Sequence, residues 1–314
     1  MLLSRVANAC YWLSRYRERA EFTARVLDVN LVSLLDTSAF IGNDADWEPI
    51  VRINGCGAFF AGKSSEQIDA LSVTQVVCLE PTNTNSILGC IRSARENARQ
   101  AREQISSEMW EQINEMYHFV NRLQLHELIQ HPHEVLSVVK NGALLMQGLA
   151  DQTMMHGEGW HFIQMGRYLE RANTTCRLLS ARLDPAYSRT QGYMETLYWI
   201  AVLKSASSLE AYHKTYGAPV SAREAIEFMM LNEQSPRSIL FCLEQAAHSL
   251  RYASGQIVQR FANDAERLMG RMASDLHYLR LEDIEILPFL QELQDNLLVV
   301  NEAITDAYFS YEVA

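Results

Sequence analysis

Arg15-Tyr16-Arg17-Glu18-Arg19-Ala20-Glu21-Phe22-Thr23-Ala24-Arg25-Val26-Leu27 is the segment on which the reading of the fold turns. It returns as Arg167-Tyr168-Leu169-Glu170-Arg171-Ala172-Asn173-Thr174-Thr175-Cys176-Arg177-Leu178-Leu179, identical at eight positions with an offset of 152 residues. The same offset carries Ser86-Ile87-Leu88-Gly89-Cys90 onto Ser238-Ile239-Leu240-Phe241-Cys242, and Trp47 onto Trp199. A shared offset over such separated segments is hard to produce from helical composition alone, so a tandem duplication is expected. The expected fold is all-α: a unit of roughly six helices, duplicated as halves 1–156 and 157–314, packed as one large or two joined helical bundles.

Helical periodicity supports that class. Residues 3–29 run without Gly or Pro and place Val6, Cys10, Leu13, Phe22 and Val26 at helical spacing. The helix is expected to continue toward Leu35, and the counterpart of 3–29 is 158–183. Polar caps before 86–104 and 237–254, the second with Pro236 at its first position, predict two further helices. Helices are also predicted over 107–128, 133–154, 256–280 and 285–310, and over 193–214, which by the offset makes 46–61 helical. Breaks fall near 38–44, 80–84, 184–192, 215–220 and 232–236, none of them long enough to be a disordered linker.

Composition agrees. In 314 residues, 14 Gly and 7 Pro leave little turn chemistry for an all-β fold. The net charge of −11 argues against nucleic acid or an anionic membrane as a general partner. No stretch reaches the ~18 apolar residues of a membrane span. Cys10, Cys56, Cys78, Cys90, Cys176 and Cys242 lie without disulfide or zinc spacing, as in a cytoplasmic protein. The basic residues are uneven in kind: Lys63, Lys140, Lys204 and Lys214 are the only lysines among 27, and the rest are arginines. Arginine suits planar pairing with carboxylates or phosphates in drier sites.

Those arginines gather in the repeated segment. On a helix, Arg15, Glu18, Phe22 and Arg25 form one stripe with Arg19 beside it, on the side where a core is expected. Arg167, Glu170, Arg171 and Arg177 repeat the problem. Glu18 can pair along its helix with Arg15, but one carboxylate cannot neutralise several guanidiniums, so acids on other helices or a bound anion must complete each frame. Two readings follow: inter-helix ion pairs that set the register of the two first helices, or a pocket in which arginine forks hold a carboxylate or phosphate.

With Ser93-Ala94-Arg95-Glu96-Asn97-Ala98-Arg99, Trp110, Asn114, and Gly159-Trp160-His161-Phe162 ahead of Gly166-Arg167-Tyr168-Leu169-Glu170-Arg171-Ala172, these segments resemble the alpha-E family of bacterial helical proteins, named for a Glu-Arg motif. The resemblance runs through most of the chain. It implies genes neighbouring a circularly permuted ATP-grasp-type protein and a transglutaminase-like protease, and alpha-E regions fused to the former. It carries no established catalytic residues.

Other motifs do not lead further. His126 and His131 are five apart, not the four a zincin helix needs, so no metal site is expected. No Walker or Gly-x-Gly-x-x-Gly pattern occurs and no cofactor is expected. His156 and His161 lie within reach of the same cleft as Arg167. The family resemblance implies a partner or accessory subunit of an ATP-grasp-type ligase in peptide or amide bond formation, with the transglutaminase-like protease as a second partner and the duplicated Arg-Glu-Arg frames serving anion or partner contact. The alternatives are a stand-alone enzyme acting on an anionic peptide or amino-acid substrate, and a purely structural scaffold.

Overall fold

The computed structural model describes residues 2–41, 47–64, 67–184, 193–217, 219–255 and 261–310. Among them there is no strand, and 14 α-helices carry the fold. Seven precede residue 156: α1 (Ser4–Ile41), α2 (Glu48–Ile53), α3 (Ala70–Cys78), α4 (Ile87–Gln100), α5 (Ser107–Arg122), α6 (Leu125–Gln130) and α7 (Pro132–Thr153). Seven follow: α8 (Glu158–Leu183), α9 (Tyr193–Ser205), α10 (Leu209–Tyr216), α11 (Ala222–Leu231), α12 (Ile239–Ala253), α13 (Asp264–His277) and α14 (Ile286–Ile304).

Two groups of four helices are built alike. In the first, α1 packs on α4 and α7, and α5 closes the group against those two. In the second, α8 packs on α12 and α14, and α13 closes it. The groups meet where α1 lies against α8, the most extensive helix pairing in the molecule. The short helices interlock them: α2 lies on α8, while α9 lies on α1.

Both central helices, α1 over residues 4–31 and α8 throughout, are buried around nearly their whole circumference. That explains why neither shows a simple apolar stripe, since a helix enclosed on all sides has no solvent face to carry its polar residues. Contacts advance together along α1 and α8, from Leu2 with Glu158 through Tyr11 with Gly166 and Arg15 with Glu170 to Asn30 with Arg182. The two helices therefore run parallel. Gly166 permits a close backbone approach, because a Cβ there would clash with the Tyr11 carbonyl oxygen.

Several boundaries differ from the sequence expectation. The predicted helix over 46–61 is only α2 and a 3-10 turn over Gly57–Phe60, because Gly55 takes a left-handed φ of 64° and ends the helical path. The helix over 193–214 breaks between α9 and α10, where Ser207 has φ 50°. The one over 107–128 divides at Leu123, whose extended backbone separates α5 from α6. Residues 256–260 of the expected 256–280 helix lie outside the described residues, and α13 starts at Asp264 behind an Asn263 cap. Pro236 is not the first helical residue: Ser238 is the N-cap, accepting from the Phe241 amide as Ser86 does from Gly89. The first helix is longer than the 3–29 span and reaches Ile41, into the break expected near 38–44, of which 42–44 lie outside the described residues.

Gly166→Ala should cost about 1–3 kcal/mol, since the atom in the way is backbone. Gly148→Ala, mid-helix in α7 with nothing within 4 Å of the new Cβ, should stabilise by about 0.5–1 kcal/mol. Urea unfolding midpoints of the two variants check the opposite signs.

Candidate functional site

Each repeated segment supplies one glutamate to arginines of the other. Glu170 of α8 accepts from Arg15 Nε at 2.8 Å and from Arg19 Nε at 2.7 Å, both on α1. Glu18 of α1 accepts from Arg171 of α8, from Arg237 Nη1 at 3.0 Å and from its neighbour Arg17 at 3.3 Å. Both carboxylates are 0% exposed. Glu18 is thus not paired with Arg15 along its own helix; Arg15 reaches across to Glu170 instead, because parallel packing brings that carboxylate to the same level.

The remaining donors of these guanidiniums are mostly used. Arg15 also donates to Tyr11 and Asn301, Arg17 to the Ala143 carbonyl, Arg19 to Asn85, and Arg171 to the Pro236 carbonyl. Glu21 accepts from Arg237 at 2.8 Å and from Arg25 one turn on at 2.8 Å. Arg25 therefore belongs to the cluster through Glu21. Arg177 does not join it directly: its Nη2 donates to the Arg52 carbonyl at 3.4 Å, against Gly55. Arg167 is 9% exposed, lies 4.2 Å over the Tyr168 ring, donates to that hydroxyl and makes no ion pair among the described residues.

Electrostatics follow from this packing. Burial opposes ionisation of Glu170, but Arg19 and Arg15 outweigh it and hold the carboxyl at about 2. The same contest, with Arg171, Arg237 and Arg17 winning, holds Glu18 far below the usual carboxylate range. Burial pushes Arg17 down to about 10 despite Glu18. The cysteines beside the cluster are inert, since burial pushes Cys90 and Cys242 up to about 12.

Arg237, Glu21, Arg17 and Asn85 belong to the cluster although the repeat did not single them out. Asn85 and Arg237 stand at the same offset of 152, each just ahead of an N-cap serine, which was the available signal. His161 does not enter the frames. It stacks on Tyr252 at 3.8 Å, and burial, with His248 and His156 nearby, pushes it down to about 4. His156 stacks on Trp160 and His126 is exposed. Among the described residues no group of three His, Cys, Asp or Glu could hold a metal, and no helix is long and apolar enough to cross a membrane.

A family described as a predicted alpha-helical domain with a conserved ER motif, Alpha-E, matches residues 2–309. The chain belongs to the Alpha-E family. Its Glu-Arg pairs are Glu18-Arg19 and Glu170-Arg171, the four residues at the centre of the crossed ion pairs. Relatives include an uncharacterized protein of Mycobacterium bovis, 24% identical over 96% of this chain and 36% of its own length. An uncharacterized protein of Mycobacterium tuberculosis CDC 1551 matches to the same extent, and one of strain H37Rv is 23% identical over the same shares. The chain thus spans about a third of the length of these curated relatives. No solved structure matches.

The Alpha-E ion pairs make stability acid-sensitive in a defined window. Glu170 has a folded value depressed to about 2, so its contribution is fully present above the unfolded carboxyl value near 4.5 and is lost as pH falls toward 2. Urea midpoints taken from pH 6 to pH 2 should show a loss on the order of 3 kcal/mol from this group. In Glu170→Gln the starting stability should be lower and the slope in that window shallower.

Proposed function

We propose that this Alpha-E chain is a partner or accessory subunit of an ATP-grasp-type ligase in peptide or amide bond formation, and that its Glu-Arg motif is the joint that gives the subunit its shape. The observation that carries the non-catalytic part is the complete burial of Glu18 and Glu170, each saturated by arginines of the opposite helix or its neighbours. A general acid or base must reach a substrate proton, and these carboxylates are held charged and enclosed. The ligase partner rests on the family resemblance. It is supported by the relatives, in which the matching region accounts for only 36% of a longer protein, as a module working beside other domains would.

We infer that the two halves arose by duplication. The reciprocal Glu18 with Arg171 and Glu170 with Arg19 pairs, and the like caps at Ser86 and Ser238, support it. We place the protein in the cytoplasm, with all six cysteines free and buried, and the transglutaminase-like protease as a second partner.

Co-expression with the neighbouring ATP-grasp protein tests the reading. The two should co-purify, ATP-dependent amide formation should need both, and this chain alone should turn over nothing. Turnover of a peptide or acyl phosphate by the chain alone would make it an enzyme in its own right. Failure to co-purify, with ligase activity unchanged by the chain, would leave a scaffold with another role.

A further inference from the structure

The charges of the Glu18 cluster do not balance. Arg17, Arg25, Arg171 and Arg237 already surround Glu18 and Glu21, and Arg167 is a fifth guanidinium beside them. At the equivalent level of the other cluster, Arg15 donates to Glu170 and Asn85 stands where Arg237 does here. Arg237 and Arg171 both donate to Glu18 Oε1, and Arg171 and Arg17 to Oε2. The other nearby acid, Asp151, is engaged by Trp160, Gln164 and Gln147.

Arg167 is thus a buried cation left over. Among the described residues no carboxylate lies within 4.0 Å of it, and its Nε is buried with no hydrogen-bond partner. Burial and the like charge of Arg171 both disfavour its protonated form. A charge in this setting is costly until a counter-ion arrives. Arg177, the other motif arginine lacking a carboxylate, differs because it is more exposed and donates to the Arg52 carbonyl.

We propose that Arg167 and Tyr168 form a binding site for a carboxylate group of a small acid or peptide. Arg167 supplies the unused Nε–H, and the Tyr168 hydroxyl, which accepts from Arg167 Nη2, keeps its own proton to donate. The Tyr168 ring lies 4.2 Å from the guanidinium carbon, and the N–H edge of a guanidinium suits a planar two-oxygen group. Arg167 as a whole residue is 9% exposed while its Nε is covered, so binding requires a side-chain movement that uncovers that N–H. The site stands apart from the ligase-partner reading and would exist in a subunit or an enzyme.

The test is titration calorimetry and thermal unfolding of the full chain and its Arg167→Met variant, with a dipeptide bearing a free C-terminal carboxylate, the same dipeptide as its amide, and inorganic phosphate. The free acid should bind the native chain, the amide and phosphate should not, and Arg167→Met should weaken binding at least tenfold. Without ligand, Arg167→Met should melt about 2 °C or more above the native chain, because an uncompensated charge is gone. Acetate competing with the dipeptide identifies a bare carboxylate as sufficient, while no competition shows that the peptide end is needed; either supports the site. Absent binding of the free acid, equal binding of the amide or phosphate, unchanged binding by the variant, or a variant that melts lower than the native chain would overturn it.

Discussion

Two fully buried glutamates, each ionised and each held by arginines from the other central helix, are the constraint around which the molecule is arranged. A carboxylate removed from water is stable only with its charge answered and its lone pairs filled. Glu170 can satisfy that only at the level of Arg15 and Arg19, and Glu18 only at the level of Arg171 and Arg237. The pairs therefore fix the axial register of α1 against α8, and a slip of one turn would strand both carboxylates. Hydrophobic burial draws the helices together without choosing among registers; the crossed pairs supply the choice.

From that register the other contacts follow. Gly166 allows α8 to approach the α1 backbone at Tyr11, and the neighbouring Arg15 is then placed for Glu170. The loops ahead of α4 and α12 deliver Asn85 to Arg19 and Arg237 to Glu18, so each four-helix group touches the joint as well as its own core. With α2 resting on α8 and α9 on α1, separating the groups would expose apolar surface and open the ion pairs together. The arginine-rich composition makes sense here, since a rigid fork can serve a carboxylate and a backbone carbonyl at once, as Arg17 and Arg171 do.

Much of this was legible in the residues. The helix class, the span 158–183 and the importance of Glu18, Arg19, Glu170 and Arg171 could be read from periodicity and the 152-residue offset. The partner of Glu18 could not, because spacing along one helix favours Arg15 and says nothing of which helix lies parallel alongside. Arg237 carries only the weaker signal of standing at the 152-residue offset from Asn85 ahead of an N-cap serine, which does not say that it reaches Glu18. The 46–61 segment misled because its offset partner is largely helical, whereas Gly55, in the left-handed region, lets the local backbone turn away. Arg167 matched the motif as well as Arg15 did, and only packing shows that one is paired and the other is not.

The most direct measure of the central claim is a double-mutant cycle on Arg19 and Glu170, with Arg19→Gln, Glu170→Gln and the double variant unfolded in urea at pH 7. A pair that locks α1 to α8 in the dry interior should give a coupling energy of about 2–3 kcal/mol. A coupling below about 0.5 kcal/mol, the value of an exposed surface pair, would contradict it and would mean that apolar packing alone sets the register.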